Sequence, residues 1–232
     1  MKEITILGNG PSIKSYDLKR LPQPIWGCNA IHRDLEVDAL FAVDPAIQHE
    51  IYRKGVASRI PVWFRNWSEL PSLAYATCVA EDTNECPRED EELFVAQGTN
   101  DGKTYITWVS EDKSRYLNII PEEFDTWGTG STAVRVACEV ETPDLVHLFG
   151  FDMEGKSVYH GTKNIPVYDH DEPFAEWKTQ LEKTFEDFPS IDFIYYGKRT
   201  PEDWKRFSNV FEGWDSLYQR RIFLSEFYIV FV

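Results

Sequence analysis

The 232-residue sequence predicts an α/β fold: a mostly parallel sheet with helices on both faces. Three observations lead there. Short apolar runs bounded by turn residues recur along the chain, as buried parallel strands do. Segments with helical spacing lie between several of them. Apolar residues make up 42% of the chain, enough for a sizeable core.

Taken in order, "EITIL" (3–7) is a β-branched first strand, and "PIWGCN" (24–29) and "DALFAVD" (38–44) are the next two. "PAIQHEIYRKGV" (45–56) has a helical apolar spacing that ends near Gly55, and "IPVWF" (60–64) is a strand. The rhythm breaks between Leu73 and Asp125. That stretch holds the acidic run Glu89–Glu92, the turn signal "GTNDG" and the alternating run "KTYITWV", and reads as an inserted β-rich excursion or flap. In "STAVRVACEV" (131–140), Ser131 or Thr132 can cap, and Ala133, Val134, Val136, Ala137 and Val140 form a buried stripe. "DLVHLFGFD" (144–152) and "DFIYY" (192–196) are strands. Between them, "EPFAEWKTQLEKTF" (172–185) places Phe174, Trp177, Leu181 and Phe185 on one helix face. "PEDWKRFSNVF" (201–211) reads as a last helix, with Pro and two acids in its first turn. The expectation is one domain over residues 1–232 with a flap at about 73–125.

The formal charge of −15 argues against duplex DNA or RNA as the main partner, although a local basic pocket for one phosphate stays open. Eight Trp and eleven Tyr are too many large rings to be fully buried, so some are expected at the surface or around a pocket. Cys28 and Cys138 lie in apolar runs and read as small core residues, while Cys78 and Cys86 flank a loop. No signal peptide follows Met1 and no apolar run reaches the roughly 20 residues of a membrane helix. The expectation is a cytoplasmic protein without a transmembrane segment. The apolar end "IFLSEFYIVFV" (222–232) reads as a docked terminal element or as a homo-oligomer contact.

The first strand stops in Gly8-Asn9-Gly10-Pro11-Ser12. Two glycines let the backbone turn tightly and clear Cβ atoms from a ligand, and Pro11 suits the first turn of a helix whose amides favour phosphate. On spacing alone, this is equally an ordinary turn. Downstream, the loop from Tyr159 to Asp171 is rich in polar and aromatic groups and follows a strand's C-terminal end, where open α/β sheets bind ligands. His170, with an ordinary pKa of about 6.5, suits a general base. It is equally a charge pair with Asp169 and Asp171 that caps the next helix. Tyr159 is equally a packed aromatic, His160 a loop histidine, Asn29 a turn residue, Thr129-Gly130-Ser131 a helix cap, and Asp152 a turn residue at the ligand-binding edge.

"ILGNGPSIKSYDLKRLP", followed by "GCNAI", resembles the start of the bacterial sialyltransferases that carry an N-terminal GNGPS motif. The similarity returns in "GTGSTAVRVACEV", in "LVHLFGFDMEGKSVYHG" and in "YDHDEPFAEWKTQLEKTF". A wider Rossmann-like set that includes pterin pyrophosphokinase-like proteins shares the first motif. The resemblance implies a variant glycosyltransferase-A, Rossmann-like fold and a CMP-linked sugar donor. Asn9, Gly10 and Ser12, with Gly8 beside them, would hold the nucleotide's phosphate and ribose. Asn29 would face the nucleotide, and Thr129, Gly130 and Ser131 would contact its base or ribose. Tyr159 matches the second of two tyrosines that stabilise the departing phosphate, and His170 matches the general base. The first of those tyrosines falls near Met153 or Glu154, which leaves the phosphate to Tyr159 with help from Lys156 or Lys163.

The expected function is therefore transfer of a sugar from a CMP-type donor to the hydroxyl of a glycan or small-molecule acceptor. No further cofactor is expected. Asp169-His170-Asp171 spells the Asp-x-Asp of metal-dependent glycosyltransferases, but a monophosphate leaving group needs no metal, and none is expected. Two alternatives remain: pyrophosphoryl transfer on the same scaffold, and a non-catalytic nucleotide- or glycan-binding module.

Overall fold

The computed structural model describes residues 1–69, 92–96, 105–109, 111–154, 156–165, 173–197 and 200–213. The calls on Cys78, Cys86, the acidic residues 89–91, the GTNDG turn, His170 and the apolar end at 222–232 lie outside them.

Eight strands form one sheet: β1 (Glu3–Leu7), β2 (Ile25–Cys28), β3 (Ala39–Ala42), β4 (Val62–Phe64), β8 (Leu117–Ile119), β9 (Leu145–Phe149), β10 (Asp192–Tyr195) and β11 (Val210–Glu212). Their spatial order is β11-β10-β9-β1-β2-β3-β4-β8, and every pairing is parallel. The chain thus winds outward from β1 in one direction, then resumes on its other side with β9. This is the Rossmann-like α/β arrangement that the apolar runs predict, and β1/β9 is its switch point.

Alternation across the sheet divides the core. Ile4, Ile6, Phe41, Val146 and Leu148 face α3 (Thr129–Glu141) and α4 (Pro173–Asp187), where Val134, Ala137, Cys138, Leu181 and Phe185 meet them. Leu7, Leu40, Val62 and Phe149 face the other way, onto Ile47, Ile51 and Tyr52 of α1 (Pro45–Arg53). Cys28 and Cys138 are buried free thiols, as their apolar context implies. Thr5, the one polar residue of β1's interior, hides its hydroxyl by donating to the carbonyl of Pro22. Val140 leaves the predicted stripe: the buried face of α3 ends at Cys138, and Val140 is exposed in the last turn.

Two segments differ from the sequence reading. The stretch 201–211 is not a helix. A 3-10 turn over Glu202–Arg206 is followed by β11 on the sheet edge. Asn209 accounts for the change. Its side-chain amide donates to the carbonyls of Phe185, Phe188 and Ile191, and its carbonyl accepts from Phe193, so the chain is drawn onto β10 before a second helical turn forms. In the excursion, β5 (Trp67–Glu69), β6 (Glu92–Ala96) and β7 (Tyr105–Val109) form a separate antiparallel sheet. After the short α2 (Glu111–Ser114), β8 returns to the main sheet beside β4.

Candidate functional site

The carboxyl ends of β1, β2, β3, β4 and β9 open onto a cavity of about 370 Å³. Each strand contributes the residues that follow it: Gly8–Gly10 after β1, Asn29 after β2, Val43 and Asp44 after β3, Arg65 after β4, and Gly150–Glu154 after β9. The first turn of α3 and Trp177 of α4 complete one wall, and Lys156, Ser157, His160 and Ile165 another.

The glycine loop answers the question its sequence raises in an unexpected way. Gly8 N–H donates to the carbonyl of Phe149 at 2.8 Å and Gly10 N–H to that of Gly150 at 2.9 Å, which continues the β1–β9 ladder past the strand ends. Ser12 N–H donates to Asp152 Oδ2 at 2.7 Å. Three amides that could grip an anion are therefore already occupied, one of them by a carboxylate. A short 3-10 helix, Pro11–Ser15, takes the place of the long helix whose dipole would favour phosphate. The glycines are needed for contact between loops. A Cβ on Gly8 would lie 2.6 Å from the Gly150 carbonyl oxygen, and one on Gly10 would lie 2.5 Å from Asp152 Oδ2. Asn9 extends the knot: its side-chain amide donates to the Cys28 carbonyl at 3.1 Å, and its own carbonyl accepts from Val158 N–H at 2.8 Å.

Gly8, Asn9, Gly10, Asn29, Thr129, Gly130, Ser131 and Asp152 all line the cavity, so eight of the nine sequence-proposed binding positions converge there. Ser12 does not, and it is buried beside Asp152. Asn29 adopts the left-handed backbone region that asparagine tolerates (φ 51°), and its Oδ1 accepts from the Thr129 hydroxyl at 3.3 Å, linking the β2 turn to α3. Ser131 donates to the carbonyl of Trp177. Gly128 N-caps α3 without a side-chain hydrogen bond, and its amide donates to Gln180 Oε1.

The two catalytic positions are not brought into view together. His170 lies outside the described residues. Tyr159 is 7% exposed and packs in the α1-side core, and its hydroxyl donates to Asp34 Oδ2 at 2.6 Å. Burial first, then Asp34, pushes its pKa up, so it is a neutral core phenol turned away from the cavity lining.

The structure adds residues that sequence reasoning passed over. His160 lines the cavity. Burial holds its pKa below the ordinary histidine value, so its ring is neutral at pH 7. Arg65 is half-buried, with its two terminal nitrogens donating to the carbonyls of Asp125 and Trp127 while its Nε has no hydrogen-bond partner. Burial lowers its pKa, and the charges of Asp44 and Asp125 oppose that. Both Asp44 and Arg65 directly follow strand ends, the signal that would have found them. Cys28 also lines the cavity, but burial pushes its thiol up to about 12, which makes it unreactive. Among the described residues, no group of three or more His, Cys, Asp or Glu side chains could hold a metal ion, and no helix is long and apolar enough to cross a membrane.

No protein-family model matches the chain, and no curated protein matches it. Among solved structures, it is similar to the sialyltransferase CstII from Campylobacter jejuni in complex with a substrate analogue, cytidine-5'-monophosphate. Identity is 15% over 90% of this chain and 85% of that one, with a TM-score of 0.42. The same enzyme in complex with CMP-3FNeuAc gives 17% identity over 91% and 85%, with a TM-score of 0.43. No residue's role is taken from either.

Proposed function

We propose that this chain is a nucleotide-sugar-dependent glycosyltransferase of the sialyltransferase-like kind, which moves a sugar from a CMP-type donor to an acceptor hydroxyl. One observation carries the reading. The segments whose sequence resembles that family's nucleotide-binding motifs, GNGPS, GCNAI and GTGSTA, meet around one cavity at the switch point of the sheet. Its volume falls within the usual range for small-molecule sites.

Charge supports a monophosphate-linked donor. Asp44, Asp152 and Glu154 face the cavity against Arg65 and Lys156, a balance that repels a nucleoside diphosphate more than a monophosphate ester. In the reaction, the acceptor oxygen bonds to the anomeric carbon as the bond from that carbon to the phosphate oxygen breaks. CMP departs with the electron pair, and the acceptor's proton passes to His170. The expected result is that His170→Ala abolishes sugar transfer and leaves CMP affinity unchanged. Full activity in the variant removes His170 as the base.

The sequestration of Tyr159 favours one second reading, a nucleotide- or glycan-binding module without catalysis. Turnover of a CMP-sugar into CMP, even slow, decides against it.

A further inference from the structure

We propose that the donor's phosphate is received by His160, and that the buried Arg33–Glu50 pair is the positioning element that holds His160 at the cavity. This rests on the CMP-donor reading above and deepens it.

The glycine loop is a poor seat for an anion, because its amides are occupied and Asp152 stands beside them. Arg65 spends its terminal nitrogens on two carbonyls, with the charges of Asp44 and Asp125 close by. What remains among the described cavity residues is the loop 156–165, which brings Lys156, Ser157 and His160 to the wall. His160 Nδ1 accepts from Ser157 N–H at 3.4 Å, so the neutral ring carries its proton on Nε2 and presents a donor. Lys156 adds positive charge without sharing that constraint.

A loop that must place a donor cannot drift, and this one is strapped down. Tyr159 is bonded to Asp34, and the Thr162 hydroxyl donates to the Tyr159 carbonyl. Arg33 forks onto Glu50 (Nε to Oε1 2.8 Å, Nη2 to Oε2 2.5 Å). The same guanidinium donates to Thr162 Oγ1 at 2.9 Å and to the Lys163 carbonyl at 2.6 Å. Asn164 also donates to Glu50 Oε2. One carboxylate on α1 thus ties three residues of the loop, directly or through Arg33, to the layer beneath. Neither Arg33 nor Glu50 lines the cavity.

The test compares CMP with cytidine, which lacks the phosphate, by isothermal titration calorimetry on the full chain. Wild type should prefer CMP. His160→Ala should lower CMP affinity about tenfold or more, the range for a lost hydrogen bond to a charged group, and leave cytidine affinity unchanged. Glutamine at the same position, His160→Gln, restores an N–H donor and should recover part of the preference. Arg33→Ala, and the milder Thr162→Val, should reduce the CMP preference in the same selective way and speed amide hydrogen exchange across 157–165, with β1 and β9 still protected. A wild-type preference that survives His160→Ala overturns the assignment of His160 alone. Equal weakening of both ligands in the Arg33 and Thr162 variants overturns the positioning role. A wild-type chain that binds neither ligand overturns the CMP-donor reading, and this inference with it.

Discussion

Replacing Gly10 by alanine inserts a methyl group into the knot between the β1 and β9 turns. The new Cβ would lie 2.6 Å from the Gly150 carbonyl oxygen and 2.5 Å from Asp152 Oδ2. To reach ordinary contact at 3.4 Å, the two turns must part by about 0.8 Å. That separation loosens the Gly10 N–H bond to Gly150 and the Ser12 N–H bond to Asp152. Overpacking of this size costs about 1–3 kcal/mol. At roughly 2–4 °C per kcal/mol for a chain of this length, Tm falls by several degrees. Gly55 is the control, since its need is conformational: φ is +66°, and the nearest atom to an added Cβ is 3.7 Å away. Asparagine tolerates that backbone region. Gly55→Asn should therefore be nearly neutral in urea denaturation, whereas Gly10→Asn should be as damaging as Gly10→Ala or worse. Equal stability of Gly10→Ala and wild type would refute the close-approach argument.

Three further outcomes follow from the same contacts. Burial pushes the Glu50 carboxyl up, but hydrogen bonds from Arg33, Lys54 and Asn164 outweigh it and hold the pKa at about 2. Because the folded value lies below the ordinary 4.5, the ionised group stabilises the fold above about pH 4.5, and that stabilisation is lost as pH falls toward 2. Glu50→Gln should cost about 3 kcal/mol at pH 7, with the gap to wild type closing across that window in denaturation curves. Gln48 is fully buried; it donates to the carbonyls of Ala42 and Arg65 and accepts from the Trp67 indole. Gln48→Leu orphans all three partners and should destabilise by roughly 3 kcal/mol or more, read from the urea midpoint. Trp204→Phe removes the indole donor to Glu182 from a fully buried site and should cost about 1–2 kcal/mol in the same assay.

What could be read from the sequence follows from how local each cause is. β1, β2, β3 and β9 are buried on both faces, so each is a continuous apolar run that stands out unaided. β8 has three half-covered residues on a sheet edge and no such run. The helical spacing of 201–211 is real, but Asn209's three bonds to the end of α4 and the chain beyond it decide the conformation, and no local pattern carries them. The cavity was legible because its residues directly follow strand ends. The fate of Tyr159 was not, because its partner Asp34 is 125 positions away. Loop 156–165 likewise gains its order from Arg33 and Glu50, far upstream.

The central claim is that the cavity beside β1 and β9 takes a nucleoside monophosphate. Thermal unfolding with CMP in the presence of EDTA tests it most directly. At about 100 times the dissociation constant, a single native-state site adds roughly 2.7 kcal/mol, which raises Tm by about 5–10 °C. The account predicts that rise for CMP and a smaller one for UDP and GDP. A melting temperature unmoved by CMP, or moved equally by all three nucleotides, contradicts it.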